Sequence, residues 1–201
     1  MMEVLCVHRR VVLIFVLLIL GALGMWLAFQ MAARNAPPRV GNPIPDFTLE
    51  STDGEKISLA AQRGKAVVVV FVASWCKVCR EEMPMMAETF RAHREHDVVF
   101  LGVDIYEDYL VAKKIHHEFD MPFPFLVDAY GEVTTRFRVK GTPTTFFIDR
   151  NGILRDVVVG GPLDRGYLDK EIAPLLGITS RKVKIASKPS LSVVLTSLSF
   201  W

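Results

Sequence analysis

The longest apolar stretch of the chain is residues 11–29, which carry no charge and follow His8, Arg9 and Arg10. As a helix, a run of that length matches the ~30 Å hydrocarbon core of a bilayer. The basic flank places the N-terminus on the cytoplasmic side. This pattern predicts a cytoplasmic N-terminus over residues 1–10 and one transmembrane signal anchor over 11–30. A linker over 31–39 follows, stiffened by Pro37 and Pro38, and then an extracytoplasmic domain from Val40. A cleaved signal peptide fits less well, because its apolar region is shorter and a small-x-small cleavage site is expected after it.

Beyond Val40 the pattern changes. Phe47, Leu49, Ile57 and Leu59 alternate with polar residues around Asp53-Gly54, which predicts a hairpin with a type I′ turn. Val67–Val72 is a continuous β-branched run and predicts a strand buried on both faces. From Arg80 to Glu95, Met83, Met86, Ala87 and Phe90 recur every three or four residues, the spacing of an apolar helix face, and Pro84 predicts a kink. Val98–Val103 reads as a second buried strand, Tyr106–Glu118 as a helix, and Pro122–Asp128 as a loop leading into a strand. Gly131–Phe137 reads as a short helix. Thr144–Asp149 and Ile153–Val159 flank Asn151-Gly152 as a second hairpin, and Leu163–Leu176 is a closing helix ended by Gly177. Strands alternating with helices predict an α/β domain over residues 40–177, with a parallel core and an antiparallel edge. Residues 178–201 begin basic and finish apolar, and no function is assigned to them.

A net charge of +2 gives no reason to expect nucleic acid as a partner. The three cysteines are too few for a disulfide scaffold. Cys6 precedes the anchor and reads as an inert cytoplasmic thiol, whereas Cys76 and Cys79 stand together where the Val67–Val72 strand gives way to a helix. Thiols at i and i+3 can close a small disulfide ring. Unpaired backbone N–H groups and the helix dipole at a helix start stabilise a thiolate there, and Lys77 adds a positive charge. The pattern predicts an exposed nucleophile at Cys76 and a more buried resolving thiol at Cys79. A zinc site would require a second Cys pair. Haem attachment would require His directly after Cys79, where Arg80 stands. His93, His96, His116 and His117 read as solvated helix-end residues, and no metal or other cofactor is expected.

These residues bring a family into view. Trp75-Cys76-Lys77-Val78-Cys79, Pro84 five residues later, and Gly141-Thr142-Pro143-Thr144-Thr145-Phe146-Phe147-Ile148-Asp149 resemble the motifs of thioredoxin-fold proteins of the membrane-anchored TlpA/ResA type, within the redoxin group. The resemblance covers residues 40–177. It implies a thioredoxin-like fold with an N-terminal β-hairpin and a central strand–helix insert. It also implies a cis bond before Pro143, leaving the Thr142 backbone to hold a client strand, and a Trp75 ring that shields the thiols. Simple thioredoxins carry a buried Asp six residues before the first Cys, where Val70 stands here. ResA-like proteins carry a Glu three residues after the second Cys, which makes Glu82 the group expected to handle protons or tune the pair. Lys77 and Val78 occupy the positions that tune redox potential.

The activity implied is reduction of protein disulfides. The expected clients are the haem-site cysteines of apocytochrome c or the cysteines of a copper-site protein, and a DsbD/CcdA-type membrane protein is the expected reductant. Two other classes share the fold: a Sco-like copper-binding chaperone, which uses C-x-x-x-C, and a thiol peroxidase, whose P-x-x-x-[T/S]-x-x-C loop is missing here.

Overall fold

The computed structural model describes residues 15–28, 31, 37–161 and 163–176. Residues 15–28 are helical, and Phe15, Leu17, Leu18 and Ile19 are more than 60% exposed. No helix among the described residues is long and apolar enough to cross a membrane. Residues 11–14 and 29–30 of the expected anchor, Cys6, Gly177 and the tail 178–201 lie outside the described residues.

A seven-stranded sheet organises the domain, in the order β2-β1-β5-β4-β3-β6-β7. Its strands are β1 (Thr48–Ser51), β2 (Lys56–Ser58), β3 (Ala66–Val72), β4 (Val98–Ile105), β5 (Phe125–Asp128), β6 (Thr144–Ile148) and β7 (Leu154–Val159). Every residue of β3 is buried, as its unbroken apolar sequence requires, and β3 pairs in parallel with β4 and antiparallel with β6. β5 continues the parallel core beside β4. The N-terminal hairpin joins antiparallel to β5, so both edges of the sheet are antiparallel.

Four further segments are α-helical, α1 (Lys77–His93), α2 (Tyr109–Glu118), α3 (Glu132–Arg136) and α4 (Arg165–Leu175), and Ala60–Gln62 forms one 3-10 turn. Side chains alternate across a strand, so the register puts Val68, Val70 and Val72 on one face with Phe100, Gly102 and Asp104. That face meets α1 through Phe90 against Phe100, α2 through His116 stacked on Phe125, and α4 through Tyr167 against Phe147. The opposite face is an aromatic cluster in which Phe137, just after α3, contacts Phe47, Phe71 and Phe146.

Several expectations are corrected. The first hairpin does not have the expected type I′ turn, which would need positive φ at both central residues. Only Gly54 (φ 84°) and Gly152 (φ 73°) are left-handed, and Asp53 and Asn151 are not. In the first, the Gly54 N–H donates to the Ser51 carbonyl and the Ser51 N–H to that of Glu55. In the second, the Gly152 N–H donates to Asp149 and the Asp149 N–H to Ile153. Each is a three-residue loop whose final glycine supplies the left-handed step.

The leader is not all hairpin either. Gly41 and Ile44 donate backbone N–H groups to Leu154 and Gly152, so residues 41–44 run along the start of β7 before the chain reaches β1 at the other edge of the sheet. The central helix α2 begins at Tyr109 rather than Tyr106, because Tyr106 is left-handed (φ 59°) and Asp108 caps the helix through the Leu110 and Val111 N–H groups. Helix α1 continues through the exposed Pro84 as one element.

Gly102 is packed tightly against β5, since a Cβ there would lie 2.4 Å from the Phe125 ring. Gly102→Ala is expected to cost about 1–3 kcal/mol, the range for overpacking a filled core. Urea denaturation checks this, and an unchanged midpoint would contradict it.

Candidate active site

β3 runs straight to the reactive pair. Ala73 is buried, the Cys76 N–H closes a turn onto the Ala73 carbonyl, and α1 starts at the next residue. Cys76 is the N-cap of α1, and its Sγ accepts the Cys79 N–H at 3.1 Å. Cys76 and Cys79 are joined in a disulfide with Cα atoms 5.3 Å apart. The Cys79 N–H of the first turn therefore points at the sulfur that becomes the thiolate when the bond opens.

The order of burial is as expected, with Cys79 1% and Cys76 7% exposed, but Cys76 is much less open than an exposed nucleophile. Trp75, expected to shield the thiols, is 66% exposed and turns most of its indole to solvent. On another side of Cys76 stands the Thr142 carbonyl oxygen, 3.5 Å from Sγ. The Thr142-Pro143 bond is cis, as the resemblance implied. The Pro143 carbonyl accepts the Gly160 N–H at 2.8 Å, which ties this loop to the end of β7.

The two residues between the cysteines differ in setting. Lys77 is exposed, and its ammonium lies 3.8 Å from Glu81 one turn on, so its charge is both solvated and partly paired. Val78 packs against the core, and a Cβ on Gly161 would come within 3.2 Å of it.

Glu82 is 3% exposed, with Oε1 accepting the Leu163 N–H at 2.5 Å and Oε2 without a partner among the described residues. Burial holds its carboxyl above the ordinary value, and the Leu163 N–H works in the opposite direction. The loop before α4 must pass very close for this contact, since a Cβ on Gly161 would fall 1.8 Å from Oε1. Glu82 shares a cavity of about 10 Å³ with Cys79, Val70, Val72, Met83 and Met86, roughly room for one water. The acid absent from β3 at Val70 is thus supplied to the same space by α1.

His96 and His117 are exposed as expected, whereas His93 and His116 are more engaged than a solvated reading allows. The His116 Nε2–H donates to the Met121 carbonyl at 2.9 Å, so Nδ1 accepts the Thr52 hydroxyl at 2.7 Å. His93 Nε2 lies 2.8 Å from Asp169 of α4. Both hold helices in place. Sequence reasoning missed Glu107, whose carboxylate accepts both the N–H and the O–H of Ser74, each at 2.5 Å, two residues before Cys76. It also missed Asp104. The available signal was an acid inside the otherwise apolar stretch VVFLGVDI of β4.

A dithiol at a helix start, a cis-proline loop beside it and this sheet order define a thiol–disulfide oxidoreductase of thioredoxin-like fold. The chain belongs to the AhpC/TSA family, which matches it over residues 40–157. Among its relatives is the thiol-disulfide oxidoreductase ResA of Geobacillus thermodenitrificans, 34% identical over 154 residues, covering 77% of this chain and 87% of that one. The ResA of Oceanobacillus iheyensis is 34% identical over 165 residues, covering 79% and 85%. Among solved structures, a thioredoxin-family thiol:disulfide interchange protein of Chlorobium tepidum matches with a TM-score of 0.63 at 28% identity, over 69% of this chain and 99% of that one.

The position of Glu82 has a consequence for stability. Its folded pKa lies above the ordinary 4.5, so the native state keeps a proton that the unfolded chain has lost. This contribution is whole below about pH 4 and declines as pH rises through the folded value. Glu82→Gln keeps an acceptor for Leu163 and removes the charge. Its melting temperature is expected to equal the parent's near pH 3 and to exceed it increasingly toward pH 8. Parallel slopes for the two proteins across that range would contradict this.

Proposed function

We propose that this protein is a membrane-anchored, extracytoplasmic reductant of client disulfides, with Cys76 as nucleophile and Cys79 as resolving thiol. The observation that carries the direction of attack is the placing of Cys76 Sγ, on the Cys79 N–H of α1 and against Thr142, while Cys79 is buried one turn further in. The Cys76 thiolate attacks one sulfur of the client disulfide, and the released client thiolate takes a proton. Cys79, deprotonated, then attacks Cys76 Sγ and frees the second client sulfur, which is also protonated. The client ends as two thiols and the chain as the Cys76–Cys79 disulfide, with two electrons and two protons transferred.

Glu82 is the group suited to take the Cys79 proton, because it shares the cavity with that thiol and burial raises its proton affinity. Thr142 and Pro143 hold the client backbone beside Cys76, Trp75 offers it an exposed aromatic face, and Lys77 and Val78 set the potential. The apolar run 11–29, with exposed apolar side chains on its helical residues 15–28, supports an anchor. The periplasmic or extracellular side is oxidising, so a reductant there needs electrons from across the membrane, and a DsbD/CcdA-type dithiol is the fitting donor. The proposed clients are apocytochrome c haem-site cysteines or the cysteines of a copper-site protein.

Cys79→Ala is expected to leave a stable mixed disulfide on Cys76 when the reduced full chain meets an oxidised Cys-x-x-Cys-His peptide, and to abolish turnover. Mass spectrometry reads the adduct, which should be absent with Cys76→Ala. A Cys76–Cys79 potential near the ~−120 mV of a strong oxidant would overturn the reductant direction.

A further inference from the structure

A second acidic centre lies beside the end of β3, next to the strand that leads to the dithiol. Asp104 is completely buried in the last turn of pleat of β4, in register with Val72 at the end of β3 and Val127 of β5. Neither of its carboxyl oxygens has a hydrogen-bond partner among the described residues. Glu107, three residues later, is the neighbour that acts on Asp104, by its charge and by a side-chain contact that favours the protonated acid, and both of its own oxygens accept from Ser74. Two neighbouring carboxyls are not ionised together without large cost. The one that accepts two hydrogen bonds is better placed to hold the charge than the one with none.

We infer that Asp104 is a positioning residue of the dithiol site: kept uncharged in the sheet, it leaves Glu107 as the anion that clamps Ser74 and so fixes the turn presenting Trp75 and Cys76. The groups around Asp104 agree with this. Glu107 and Asp108, from the connection to α2, both repel a charge on it. Across Val72, α1 contributes Cys79 and Glu82, neither of them a cation at neutral pH. On α2, both ring nitrogens of His116 are occupied by Thr52 and Met121. Asp128 of β5 is in register with Ile105 and so lies on the opposite face, where it accepts from Thr134. Burial first, and then Glu107, push the Asp104 carboxyl up to about 8. Above that pH a second negative charge appears beside Glu107, and the Ser74 clamp is strained.

The test follows the Ser74 amide by NMR in the full chain in detergent, from pH 6 to 10, with the Cys76–Cys79 disulfide closed so that neither thiol titrates. The parent is expected to show a Ser74 shift with a midpoint near 8. Asp104→Asn keeps the shape and cannot ionise, so the transition should disappear. Glu107→Gln removes the neighbouring charge, so its Ser74 midpoint should move to lower pH. A Ser74 amide that does not titrate in the parent, a transition that persists in Asp104→Asn, or an unmoved midpoint in Glu107→Gln would each overturn the inference.

Discussion

Strand β3 has no exposed residue and is paired along both sides. A strand in that position cannot carry a charge without a partner, because burying one costs several kcal/mol. The chemistry is therefore displaced from the strand to its C-terminal end. There the backbone leaves the sheet, turns at Ala73 and starts α1 at Cys76. The helix start supplies the Cys79 N–H to sulfur, and the rigidity of β3 fixes where it points.

The same constraint explains why the acidic groups come from elsewhere. Glu82 enters the space behind the disulfide from the first turns of α1, and the loop before α4 closes on it at Gly161 and Leu163. Asp104 and Glu107 approach from the end of β4. The dithiol has two carboxyl sites of different character near it. One has a half-satisfied carboxyl in a small cavity, and the other pairs the buried Asp104 with the half-buried Glu107, which holds a loop. A thiol pair that must gain and lose protons is thereby surrounded by groups whose own proton affinity has been raised by burial.

Much of this was legible in the chain. The apolar runs located β3 and β4, the three-to-four spacing located the buried face of α1, and the C-x-x-C at a strand-to-helix boundary located the site. The family motifs extended this to the cis bond at Pro143 and to Glu82. The errors have local causes. Asp53-Gly54 is a signal for two-residue and three-residue loops alike, and only the strand register separates them. Residues 41–44 pair with β7 through backbone groups, for which side-chain pattern carries no signal. His116 reads as a surface histidine at a helix end until Thr52, Phe125 and the Met121 carbonyl are brought around it.

By itself the sequence determined the elements, the reactive pair and its position at the start of a helix, because these depend on local periodicity and on residues adjacent in the chain. Tertiary structure alone decided how open Cys76 is, which carboxyls face the thiols and which side chain holds the Ser74 turn. Those properties come from segments far apart in sequence: Thr142 set against Cys76, Leu163 against Glu82, Glu107 against Ser74. Burial and proximity of this kind shift proton affinities, and no local pattern encodes them.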